Sequence, residues 1–199
     1  MTATTKQKPP VSAVLQELVS TRIGRLQSGY LNNRSAEVAA LARLRRGLGK
    51  KPGAVLDILE FTAAPELVHN PQDDAPTFAE IAAHHCLTLF AMHQQSLSRR
   101  MHQTGARPGK AFRQLVGQDG VRPDNPVVRR FTMLGTADSL DELVHHLRGM
   151  VQLLRAKAVP LDYGRLARDL LSWQHPNGAD HVRLSWGRDF YTNVTADEN

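Results

Sequence analysis

Ser139-Leu-Asp-Glu-Leu-Val-His-His-Leu-Arg-Gly-Met-Val-Gln-Leu-Leu154 is the most telling stretch of this chain. Leu140, Leu143, Val144, Leu147, Val151 and Leu154 recur three and four residues apart, which is one unbroken apolar stripe of an amphipathic helix. Ser139 followed by Glu142 reads as a capping box, in which hydroxyl and carboxylate satisfy orphan amides of the first turn. The acids Asp138, Asp141 and Glu142 are explained by that helix start and its dipole, without catalysis.

The neighbouring segments read the same way. Upstream, Asn125-Pro126 is a cap with proline at the first helical position, opening Val127 to Leu134. Downstream, Pro160 breaks the pattern and Asp162 caps a helix carrying Tyr163, Leu166, Leu170 and Trp173, and a last helix spans about Ala179 to Tyr191. Towards the amino terminus, Thr77-Phe-Ala-Glu80 is another capping box. It heads a long apolar helix predicted from Phe78 to about Met101, with Phe78 and Ile81 on its buried faces. Pro9-Pro10 precede a helix ending near Gly29 to Asn33. Residues 54–63 and 110–116 suggest short helices, and 69–76 a polar loop. Only residues 1–10 and 194–199 read as disordered. Nothing alternates with period 2. The expectation is an all-α protein of seven to nine helices in two packed helical-bundle lobes, residues 1–104 and 105–199.

Within the first lobe, Ser35-Ala-Glu-Val-Ala-Ala-Leu-Ala-Arg-Leu-Arg-Arg-Gly-Leu-Gly-Lys-Lys-Pro-Gly53 reads as a basic helix over about 35–51 with a glycine stop. Val38, Leu41, Leu44 and Leu48 form its apolar stripe, opposite Arg43, Arg46 and Lys50. Arg45 falls inside the apolar stripe, where a guanidinium must snorkel, find a carboxylate or meet an anion at an interface.

The 199 residues suffice to bury roughly 70% of the unfolded surface. One cysteine, Cys86, rules out an internal disulfide and suits a reducing cytoplasm. An apolar signal region and a membrane-length apolar window are both lacking, so a soluble, cytoplasmic protein without a membrane partner is expected. The net charge of +6 is unevenly placed. Residues 22–51 hold eight Lys/Arg against one acid and residues 99–130 eight against two, while residues 52–98 hold six acids and no Lys or Arg. Such blocks indicate surfaces with separate tasks and an anionic partner for the basic ones.

Catalytic constellations are wanting. His84, His85, His93 and His102 lack the three- or four-residue spacing of a helical metal pair, so neither metal nor cofactor is expected. Cys86 sits in an apolar helix as a small hydrophobe. Gly105-Ala-Arg-Pro-Gly-Lys110 is one residue short of a phosphate loop and lacks the Ser/Thr; a turn whose Arg107 and Lys110 touch phosphates is the better functional reading. With no nucleophile-base set, the chain is not read as an enzyme. Few aromatics interleave the cations, so contacts to the nucleic-acid backbone are expected rather than base readout. One alternative is a free-standing helical DNA-binding transcriptional regulator with a helix-turn-helix; another is a histidine-based enzyme of nucleic-acid metabolism.

The chain also resembles a known family, the CasB-type small subunit of the type I-E CRISPR surveillance complex, Cascade. The resemblance is carried by Ala42-Arg-Leu-Arg-Arg-Gly47, Gly105-Ala-Arg-Pro-Gly-Lys-Ala111, Val128-Arg-Arg-Phe-Thr-Met-Leu134 and His146-Leu-Arg-Gly-Met-Val-Gln-Leu-Leu154. It continues through Pro160-Leu-Asp-Tyr163, Asp169-Leu-Leu-Ser-Trp173 and Trp186-Gly-Arg-Asp-Phe190. It implies a non-catalytic, all-helical subunit lying as a head-to-tail pair with a second copy of itself. The implied partners are the large and backbone Cascade subunits, the guide crRNA, and target and displaced non-target DNA, with the R-loop stabilised by backbone contacts. By resemblance Arg45, Arg46, Lys110, Arg129, Arg130 and Arg148 are nucleic-acid-binding candidates. Arg43, Lys50, Lys51, Arg99, Arg107 and Arg113 join them on charge alone.

Overall fold

A computed structural model describes residues 9–68, 74–117 and 120–192. The tails and most of the polar loop expected at 69–76 lie outside the described residues. Among the described residues there are nine α-helices and no β-strand, apart from one isolated parallel bridge between His102 and Leu161. The helices are α1 (Val11–Leu31), α2 (Ser35–Arg46), α3 (Leu59–Thr62), α4 (Phe78–His93), α5 (Pro108–Gln114), α6 (Pro126–Thr136), α7 (Leu140–Lys157), α8 (Tyr163–Trp173) and α9 (Gly178–Tyr191). Short 3-10 turns over Leu56–Ile58 and Pro65–Leu67 flank α3.

Helix α4 is the axis of the core: from Ala82 to Gln94 every residue is buried. Helix α8 lies against both α1 and α4, so residues before and after Gly105 share one core. Helices α2 and α7 pack on other sides of α4, α9 packs on α5 and α8, and α6 rests on α7. The helix starts follow the sequence closely. The Thr77 hydroxyl accepts from Glu80 N while Glu80 accepts from Thr77 N, and Asn125 Oδ1 accepts from Val127 N at 2.8 Å. Asp162 caps α8 by accepting from Arg165 N, and its other oxygen accepts from Gly105 N at 2.8 Å.

Several expectations are corrected. Helix α4 stops at His93, not near Met101. Gln94 is the reason: its amide donates to the carbonyls of Leu97 and Arg99 and its Oε1 accepts from Met101 N, so one buried side chain supports a loop where a helix was expected. Ser96 takes a left-handed backbone at φ 60°, which ends the helical run. At the start of α7 the Glu142 carboxylate passes Ser139 and accepts from Asp138 N at 2.9 Å. Val38 is 39% exposed and Phe78 47%, because α2 buries only Ala40, Leu41 and Leu44 and α4 sinks into the core after its first turn.

Candidate nucleic-acid interface

The turn after α2 positions the first cations. Gly47 closes the helix where an added Cβ would meet the Ile58 side chain and lie 3.1 Å from Thr88, so only glycine fits without a shift. His84 Nε2 then donates to Lys50 O at 2.9 Å, with Gly47 O at 3.3 Å, and ties the turn to α4. Lys50 and Lys51 are exposed on this anchored turn. Arg148 projects from α7 beside it: its Nη1 lies 3.9 Å from the position of a Cβ on Gly49. Lys50, Lys51 and Arg148 thereby line one cleft of about 720 Å³.

Along α7, Arg148, Gln152 and Arg155 share one side, at helical spacing. Arg155 Nε donates to Gln95 O at 3.0 Å, which holds its guanidinium at the end of α4. Arg45 of α2 lies within reach of its charge. Burial is the main cause pushing the Arg45 pKa down; Tyr30 opposes it and the like charge of Arg155 adds to it. No carboxylate among the described residues forms an ion pair with Arg45, Arg155, Arg148, Lys50 or Lys51. The result is a row of cations from the 47–51 turn along α7 to Arg45.

Several other candidates are engaged within the protein. Arg43 pairs with Glu60 and its guanidinium sits 4.8 Å over the Phe61 ring; Arg46 pairs with Asp57. Both acids belong to the acidic block, which thus neutralises the outward arginines of α2. Arg107 lies 2.7 Å from Asp189, and Gly109 packs where a Cβ would strike the Trp186 carbonyl, so the Gly105 to Lys110 turn joins α5 to α9. Lys110, Arg129 and Arg130 are exposed on α5 and α6, with Arg129 donating to Asp124 O at 2.9 Å. Arg113 is partly buried on α5, and Arg99 is exposed on the loop held by Gln94.

Arg155 stands outside the candidates named from sequence. The available signal was its spacing: seven residues beyond Arg148, it falls on the same helix face. Among the described residues no three His, Cys, Asp or Glu side chains gather as a metal site. Cys86 is fully buried, which pushes its thiol pKa up and disfavours a reactive thiolate.

The family model for the CRISPR-associated protein Cse2 matches residues 40–191. Among solved structures, CasB from Thermobifida fusca is 38% identical with a TM-score of 0.76, covering 89% of this chain and 98% of that one. A Cse2-family CRISPR-associated protein from Thermus thermophilus is 28% identical with a TM-score of 0.65, covering 88% of this chain and 97% of that one. A chain of a CRISPR RNA-guided surveillance complex is 25% identical with a TM-score of 0.64, covering 89% of this chain and 93% of that one. Comparison with curated proteins finds no match.

Proposed function

This chain belongs to the CRISPR-associated Cse2 family, and from that premise we propose that it is a non-catalytic subunit of an RNA-guided surveillance complex, holding nucleic acid by its backbone. The row Lys50, Lys51, Arg148, Arg45 and Arg155 is the contact surface, with Lys110, Arg129 and Arg130 as a second group. The partners are further Cascade subunits, a guide crRNA, target and displaced DNA, and a second copy of the chain, in the cytoplasm. Guide pairing reads the sequence, and exchanging one duplex for another is nearly balanced, so modest backbone contacts suffice to favour the open R-loop.

One observation carries this reading: Arg45 and Arg155 are both partly removed from water, the charge of Arg155 bears on Arg45, and no carboxylate among the described residues pairs with either. Like charges so placed disfavour the free protein, and a phosphate relieves both the repulsion and the desolvation. A helix-turn-helix regulator is less well supported. Although α1 and α2 are joined by a short turn, the outward arginines of α2, Arg43 and Arg46, are paired with Glu60 and Asp57, and the rest of that face presents mainly Ala36, Val38, Ala39 and Ala42, a poor surface for reading base edges.

The test is a salt titration of single-stranded DNA binding by the full chain, using two unrelated sequences. Arg45→Gln with Arg155→Gln is expected to weaken both sequences alike and to lower the salt slope by about 0.7 per lost phosphate contact. The melting temperature should hold or rise, because a desolvated like-charge pair is removed. Unchanged affinity and slope would overturn the proposal.

A further inference from the structure

The cleft beside Lys50, Lys51 and Arg148 has an inner surface unlike its rim. Its walls are supplied by Ile81 of α4 and Leu140 and Val144 of α7, all half-buried or buried, while the three cations at the mouth are exposed. The volume of about 720 Å³ is ample for a heterocyclic base, and small-ligand sites generally span roughly 300–1,000 Å³. Asp141 also lines the cleft. A carboxylate accepts from the N–H groups of a base edge but repels phosphate. His85 lines it too, and its buried Nδ1 has no hydrogen-bond partner.

We infer that this cleft receives one unstacked base from the strand whose phosphates lie on the basic row. The inference rests on the nucleic-acid reading above. The division of labour follows from the chemistry: rim cations hold the phosphates on either side of the base, while the aliphatic walls and an imidazole accept its flat face. The apolar walls exclude phosphate from the interior, and the exposed Asp141 disfavours it at that side of the opening. The rigid 47–51 turn fixes the mouth, because His84 holds its carbonyls. Strong sequence selection is not expected, since aliphatic walls do not distinguish one ring from another and every base carries an N–H from which Asp141 can accept.

The experiment uses the full chain and single-stranded DNA carrying 5-iodouracil at successive positions, with crosslinked residues mapped by mass spectrometry. Base-borne crosslinks are expected on the α4 and α7 residues of the cleft, His85 and His145 among them. Leu140→Trp, which fills the mouth and spares the three cations, is expected to abolish those crosslinks and weaken binding about fivefold to tenfold with the parent salt slope retained. Base crosslinks confined to residues outside the cleft would overturn the inference, and mapping on the unmodified chain decides this even if the variant does not fold. A variant that binds and crosslinks like the parent but fails to enter the assembled complex would mark the cleft as a protein-docking site, and also overturns it. A parent chain that binds no single strand removes the nucleic-acid reading itself; binding with crosslinks elsewhere removes only the cleft.

Discussion

Arg45 shows how far a single residue can be read. Its place in an apolar stripe was visible from spacing alone, and among the described residues no carboxylate pairs with it while the like charge of Arg155 bears on it. What spacing could not show was that Arg43 and Arg46, on the outward face, are neutralised by Glu60 and Asp57. Those acids return to α2 only because the chain turns at Gly47, and no local pattern encodes that approach. The buried histidines carry a second consequence at this scale. Burial lowers the pKa of His85 to about 4, and that of His93, whose Nδ1 shares a hydrogen bond with the Tyr163 hydroxyl at 3.0 Å, to about 4. His84 and His102 are lowered in the same direction, mainly by burial. Below the ordinary histidine value of about 6.5 the unfolded chain takes up protons that the native chain refuses, so stability is present above that value and is lost as pH falls towards 4. Each strongly shifted histidine contributes about 1.4 kcal/mol per pH unit across that window. Asp169 acts oppositely, because burial raises its pKa and favours the native state as acid is added, but it is one group against four. Urea denaturation at pH 7 and pH 5 should show a loss of several kcal/mol, and His93→Gln should flatten the profile by roughly one proton. A flat profile in the parent would refute the assignment.

At the scale of elements, starts were legible and stops were not. Thr77, Asn125, Ser139 and Asp162 each bond a backbone amide of the helix they precede, as their sequence context indicated. The end of α4 depended instead on Gln94 bonding three later residues, a tertiary use of a side chain that resembles any helical glutamine in sequence. The Gly105 to Lys110 turn was legible as a turn, and Gly105 takes the left-handed backbone there at φ 86°, but Gly109 serves packing. A Cβ on Gly109 would run into the Trp186 carbonyl and stand 2.6 Å from Asp189 Cβ. Gly109→Ala should therefore push α5 from α9 and destabilise the fold by about 1–3 kcal/mol in chemical denaturation, the usual effect of overpacking. A change under about 0.5 kcal/mol, the size of an ordinary surface substitution, would show that the α5–α9 contact is looser than described.

For the molecule as a whole, the separation of charge into blocks was the most informative feature of the sequence. It indicated basic surfaces divided by an acidic segment; folding then matches part of that segment to the outer arginines of α2 and leaves Lys50, Lys51, Arg148, Arg155 and Arg45 without carboxylate ion pairs among the described residues. The row could not be read from sequence because its members come from α2, the following turn and α7, brought together by their common packing on α4. The decisive experiment is the lifetime of the R-loop, followed across salt in a surveillance complex reassembled with either the parent subunit or Arg148→Ala with Arg155→Ala. Equal incorporation of both subunits with a severalfold shorter lifetime for the variant is the expected result. Equal incorporation with equal lifetimes at every salt concentration would contradict a role for this row in holding the open strand.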